Sequence, residues 1–237
     1  MYSFNIKLLI TIFIAGRLMC NCATLHPIRT ALGSCYIIET SKSLLLVDSL
    51  WPHNENTILK VANEIKKPIV CIFLTHAHAD HYGSAKEIKA KTDCDIVIHQ
   101  DDGVDFEMGK TSIEHTDFLG MIMKIICLPI MEMITRPSGV KQNICIYDNW
   151  QTNIDDTIIL AIHTPGHTKG SVCYLIDDML FVGDLADGYG KIQIQRHFAN
   201  NWTEITNSVK MLIQYKYTQI FTGHGNYVGN KNDFFVN

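Results

Sequence analysis

Between Thr75 and His81 the chain reads T-H-A-H-A-D-H, which puts His76, His78, Asp80 and His81 within one short turn. Imidazole nitrogen and carboxylate oxygen are the donors that hold zinc in catalytic sites, where one coordination position is left for water. The cluster follows an apolar run, Ile69 to Leu74, that reads as a buried strand. A strand ending at Leu74 leaves extended backbone behind it, so His76 and His78 point the same way while Asp80 and His81 start the next helix. The spacing therefore divides the cluster in two: His76 and His78 suit one cation, Asp80 and His81 a neighbouring one. Each pair is short of a full set, and three other strand ends offer the missing donors. They are His167 in H-T-P-G-H-T-K-G-S, Asp184 in F-V-G-D and His224 in T-G-H-G. Asp184 has two oxygens and can bridge two cations. Any one of these residues alone would carry an ordinary structural reading; their recurrence at four strand ends argues for ligands. Asp48, also at a strand end, reads as a residue that orients a ligand histidine. His26, His53, His99, His115, His163 and His197 keep a structural reading.

The elements that must position these donors follow from the apolar pattern. Cys35 to Glu39 and Leu44 to Val47 read as a hairpin ending at Asp48. A helix over Asn56 to Lys66 is closed by Pro68 and leads into the strand before the histidine cluster. Behind the cluster a helix is expected over His81 to Lys91 and a strand over Asp95 to His99. Residues 101–150 are the least regular and read as a helical insertion, broken near Pro129. Its methionines, Met108, Met121, Met123, Met131 and Met133, either pack as plain core or line an adaptable apolar substrate wall. Strands are expected again at Ile158 to His163, Val172 to Ile176 and Leu180 to Val182. An amphipathic helix over Thr203 to Tyr215 and a strand over Gln219 to Thr222 complete the pattern.

Composition bounds the class. The 237 residues are 47% apolar and 19% charged, as in an ordinary globular chain. A formal net charge of -4 offers no basic field for a phosphate backbone, so a small-molecule substrate is expected and nucleic acid is not. Of the eight cysteines, Cys35, Cys71 and Cys173 sit inside apolar strand-like runs, as reduced buried thiols do. Residues 1–23 read either as a short signal peptide or as a first strand over Ile6 to Ile14, so both a cytoplasmic and an exported chain stay open. The apolar stretch there is too short for a stable membrane span. Residues 30–237 read as one domain.

These motifs resemble those of the metallo-β-lactamase fold superfamily. The likeness rests on H-x-H-x-D-H at 76–81, P-G-H-T at His167, G-D at Asp184, G-H-G at His224 and the hairpin sequence at 35–48. What the resemblance implies is an α/β fold, a four-layer αββα sandwich with a dinuclear, usually zinc, site at one edge. By position in the motifs, His76, His78 and His167 would hold one metal, Asp80, His81 and His224 the other, and Asp184 would bridge. Iron or manganese would be the alternatives to zinc. Members of this superfamily differ in chemistry, and fold alone does not choose among them. A bridging aspartate is generally lacking in true β-lactamases of the superfamily, which disfavours antibiotic hydrolysis. The full ligand set resembles glyoxalase II-type thioesterases, here without their C-terminal helical domain. The expected activity is hydrolysis of a thioester, lactone, ester or amide by a metal-bound hydroxide, with Asp80 orienting the water or relaying its proton. The competing expectations are a mononuclear iron, persulfide dioxygenase-like oxidoreductase on His76, His167 and Asp184, or a β-lactamase. Lys169, Tyr189 and Lys191 follow the metal motifs closely enough to touch an anionic substrate.

Overall fold

The computed structural model describes residues 23–195 and 197–234. The stretch read as a signal peptide or a first strand, through residue 22, lies outside the described residues. Two sheets face each other. The first has six strands in spatial order: β1 (Thr24–Thr30), β2 (Gly33–Glu39), β3 (Leu44–Val47), β4 (Ile69–Phe73), β5 (Asp95–His99) and β6 (Ile144–Ile146). The β1-β2-β3 part is antiparallel, and β3 through β6 are parallel. Helices α1 (Glu55–Ile65), α2 (Ala79–Tyr82), α3 (Ala85–Thr92) and α4 (Gln100–Met108) lie between its strands in sequence. The insertion continues as α5, an apolar helix over Phe118–Thr135. The second sheet has five strands, β7 (Trp150–Ile154), β8 (Thr157–His163), β9 (Val172–Ile176), β10 (Met179–Phe181) and β11 (Gln219–Phe221), in spatial order β11-β10-β9-β8-β7. Between β10 and β11 the chain forms α6 (Trp202–Met211).

Alternation along the strands sorts the apolar side chains into three cores, which makes the architecture a four-layer αββα sandwich. In β3, Leu44 and Leu46 pack with Ile58 of α1 and Ile88 of α3 in the outer core. Leu45 and Val47 face the other way, onto Ile159, Tyr174 and Phe181 of the second sheet. The third core lies between that sheet and α6, through Ile162, Leu180, Ile205 and Val209. Both faces of each central strand are covered, so these strands read as continuous apolar runs instead of alternating ones.

Strand direction then decides where the site is. In the first sheet β3, β4 and β5 run parallel. In the second, β8 is antiparallel to β9, β9 to β10, and β10 is parallel to β11, so β8, β10 and β11 share one direction. Their C-terminal ends therefore gather along one edge, the place where open α/β sheets bind ligands. Cross-sheet hydrogen bonds clamp that edge: Val172 N donates to Thr75 O at 2.9 Å, Tyr174 Oη to Leu74 O at 3.0 Å and Tyr36 Oη to Thr222 O at 2.6 Å.

Three expectations change. Among the described residues regular structure begins at β1, upstream of the hairpin; Pro27 is tolerated there because β1 is an edge strand whose outer side needs no amide donor. The helix expected over His81 to Lys91 is two, α2 and α3, separated at Gly83 and Ser84. The break expected near Pro129 is a change of helical type just upstream, a π-helical turn over Met123–Cys127, and the helix then continues to Thr135. Helix α5 is apolar on nearly all sides, with mean hydropathy 1.8, and only 6% buried, so its methionines are not plain core. By length and composition alone it would suffice to cross a membrane. The described cysteines are free, with Cys35, Cys71 and Cys173 buried as expected.

Candidate metal centre

The four strand-end segments bring all seven donors into one basin. His76, His78 and His167 form one group in which a ligand atom of each lies within 4.8 Å of the others; Asp80, His81 and His224 form a second, and His76, His81 and Asp184 a third between them. Asp184 Oδ1 lies 3.3 Å from His81 Nε2, while Oδ2 lies 3.3 Å from His224 Nε2 and 3.7 Å from His167 Nε2. Asp184 thus reaches both halves of the basin: both oxygens face the Asp80, His81 and His224 half, and Oδ2 also faces His167 of the other. Asp80 Oδ2 lies 3.1 Å from His224 Nε2. All but Asp80 and His224 are fully buried.

The outer nitrogens of these rings show which state the inner ones are in. His78 Nε2 donates to Ser112 O at 3.1 Å and His167 Nδ1 to Phe198 O at 3.1 Å, since a carbonyl can only accept. In the neutral rings the inner atoms, His78 Nδ1 and His167 Nε2, are then both lone pairs, and they face each other at 3.1 Å. Burial, and after it the neighbouring His78, push His167 down to about 3, so a proton on His167 does not readily settle the conflict. His76 is likewise held well below its ordinary value by burial and by His81, and its Nε2 is buried with no hydrogen-bond partner. His81 Nε2 and Asp184 Oδ1, 3.3 Å apart, are also buried and make no hydrogen bond. Buried polar atoms without partners are rare, and converging lone pairs are what a cation needs, so the donor set fits a bound metal.

The opposite charges sit in the second half. Burial alone would lower His81, but Asp184, Asp48 and Asp80 overcome it and hold the ring well above the ordinary histidine value. Burial would raise Asp80, yet His81 and His224 bring it down to about 2. Asp48 takes up the orienting position read from its strand end: Oδ2 accepts from His81 Nδ1 at 2.8 Å, and Thr75 donates to the same carboxylate through its amide and hydroxyl. Asp48 reaches it with φ of 56°, a left-handed conformation that aspartate tolerates better than most residues. Gly223 is required for close approach, because a Cβ there would collide with His81 Cε1 and Asp184 Oδ1.

One organising residue escaped the sequence reading. Asp102 is buried, and its carboxylate accepts from Ala77 N, Thr168 Oγ1 and Gly170 N, each at 2.8 Å. It ties the turn of His76 and His78 to the loop of His167. The available signal was position, since Asp102 follows the end of β5 as the ligands follow theirs. Asp102→Ala leaves two buried amides unpartnered; it should destabilise the chain by roughly 3 kcal/mol and weaken metal binding about 10- to 100-fold. Thermal melting and metal titration read the two effects, and unchanged affinity would show that the loops hold their geometry without it. Of the residues suggested for an anionic substrate, Tyr189 lines the cavity beside the basin, whereas Lys169 pairs with Glu114 at 3.0 Å. His99 and His163, read as structural, stack with ring centroids 4.1 Å apart outside the basin.

Comparison with known proteins agrees with this geometry. The sequence model described as the Metallo-beta-lactamase superfamily matches residues 29–224. The chain is 27% identical over 213 residues to the uncharacterised protein YobT of Bacillus subtilis strain 168, spanning 82% of this chain and 84% of that one. It is 24% identical over 208 residues to the probable polyketide biosynthesis zinc-dependent hydrolase PksB of the same organism, spanning 84% and 77%. Its fold is similar to the crystal structure of BLEG-1 B3 metallo-beta-lactamase, with a TM-score of 0.69 and 19% identity over 89% of this chain and 95% of that one.

Proposed function

The chain belongs to the metallo-beta-lactamase superfamily, and from that premise we propose that it is a dinuclear zinc hydrolase acting on a carbonyl-containing small molecule. Thioesters, lactones, esters and amides share the chemistry required. One observation carries the reading: the three donor groups share residues, His76 and His81 each belonging to two of them, with Asp184 set between His81 and His224 of one half and His167 of the other. Such sharing suits two adjacent cations better than one. Similarity to a probable zinc-dependent hydrolase supports both the metal and the reaction class.

His76, His78 and His167 would hold one ion, Asp80, His81 and His224 the other, and Asp184 would touch both. Ions bound there supply Lewis acidity and bring the pKa of coordinated water to roughly 7. The chain's own residues do the rest. Asp48, Thr75, Ser112 O and Phe198 O hold four of the rings in the orientation that keeps their inner nitrogens as lone pairs. The buried His76, His81 and His167 close the floor to bulk water, and His78, Asp80, Asp184 and His224 reach the adjoining cavity. Asp80 is ionised at neutral pH and at the cavity face, so its carboxylate can orient the attacking water and accept its proton.

A panel of a thioester, a lactone, an ester and a cephalosporin, each with and without chelator, tests the proposal, with turnover abolished by chelator expected in one class. Asp80→Ala should lower kcat by about 10²- to 10⁴-fold, the usual worth of a positioned acid or base. An Asp80→Ala protein with its metal retained and full turnover would refute the role given to this carboxylate.

A further inference from the structure

We propose that the substrate of this site carries an aliphatic acyl chain, and that the cavity between the basin and α5 binds it. The proposal rests on the hydrolase reading above and names its substrate class. The cavity has a volume of about 440 Å³, and His78, Asp80, Asp184 and His224 stand on one side of it. The facing wall is a face of α5 with one row of Leu119, Met123, Cys127 and Met131, each four residues from the next, and Lys124 and Leu128 beside it. In an unbroken α-helix four residues overshoot one turn by about 40°, so a stripe of this length would drift off the wall. The π-helical turn over Met123–Cys127, where Leu128 N reaches back to Met123 O, turns less per residue and removes part of that drift. The same turn precedes Pro129, which has no amide to donate. Leu32 and Trp51 close the cavity from the side of the first sheet.

The basic side chains that line the cavity beyond the basin, Lys124 and His197, are already engaged, which disfavours a second anionic substrate group. Lys124 is the lining lysine, and its ammonium donates to the backbone oxygens of Ile113 and Glu114. His197 Nδ1 is paired with Asp117 Oδ2 at 2.9 Å. Flexible methionine and leucine side chains adapt to a flexible ligand, and an apolar cavity opening on converging polar groups places a reactive carbonyl at one end and its hydrocarbon at the other. A short acyl group would leave the α5 stripe in water.

The test uses the metal-loaded full chain and a series of thioesters from acetyl through butyryl, hexanoyl and octanoyl to decanoyl. Each methylene removed from water is worth about 0.8 kcal/mol, or about fourfold in kcat/KM, so the expected rise is about two- to fourfold per methylene until the cavity is filled. Met131→Glu and Leu119→Asp, at positions that are not fully buried, should bring the octanoyl-to-acetyl ratio down toward one. A readout independent of turnover is alkylation of Cys127, an exposed thiol in the stripe, mapped by peptide mass spectrometry; decanoate should slow it and acetate should not. Hydrolysis with a flat chain-length profile and no protection of Cys127 would overturn the acyl-chain site and leave the hydrolase standing. Protection without hydrolysis of any thioester, ester, lactone or amide would keep the chain site and overturn the hydrolase reading. Neither protection nor hydrolysis would overturn both.

Discussion

Asp184→Asn should lose at least about 10³-fold in kcat/KM and should no longer hold two ions. The geometry sets the size of the effect. Asp184 stands between the halves of the basin, with Oδ1 toward His81 and Oδ2 toward both His224 of that half and His167 of the other. The amide keeps the shape, removes the charge and turns an NH₂ toward nitrogens that are lone pairs in the metal-holding state. Burial would raise the carboxyl of Asp184, but His224 and His81 hold it well below the ordinary range, so the wild-type group is a carboxylate at neutral pH. Kinetics beside metal analysis of the same preparation measures the outcome, with the melting temperature checking that the fold survives. Wild-type turnover in Asp184→Asn would remove the bridging role.

Stripping the metal should lower the melting temperature by about 8–16 °C. Saturation at about a thousand times Kd contributes about 4 kcal/mol, and each kcal/mol moves the midpoint of a chain this size by about 2–4 °C. The cause lies in the donors themselves: without a cation, His78 Nδ1 and His167 Nε2 face each other at 3.1 Å, and His76 Nε2 is buried without a partner. His81 and His224 are both raised well above the ordinary value; burial opposes this and the Asp184 carboxylate drives it, so the metal-free basin carries protons there. Loading must displace those protons, and a titration in weakly buffered solution should acidify. Scanning calorimetry with and without chelator reads the stability. An unchanged midpoint would mean that the donors do not bind metal tightly.

The donors were legible because each stands just past an apolar run, and the fold uses that position: strand C-termini from both sheets meet at one edge. The central strands were legible as apolar runs, but not their facing. Leu44 to Val47 are all buried, two toward the helices and two toward the other sheet, so no polar face marks the pleat. Strand β1 was missed because it is a half-exposed edge interrupted by Pro27, and β6 because three residues carry too little pattern. Asp102 lay in the polar stretch Asp101-Asp102-Gly103 that opens the least regular part of the sequence; its role depends on two loops, around Ala77 and Gly170, that only the tertiary fold brings to it. Helix α5 was legible as an apolar insertion, but a helix apolar all round gives no sign of which face meets the site. The stripe from Leu119 to Met131 became distinct only once the basin stood opposite it.

The central claim is that seven side chains hold two zinc ions, and elemental analysis of the purified full chain tests it most directly. The prediction is about two zinc ions per chain, falling to one or fewer in Asp184→Asn, with hydrolysis lost on chelation and restored by zinc. One iron per chain, with oxygen uptake and no hydrolysis, would contradict it.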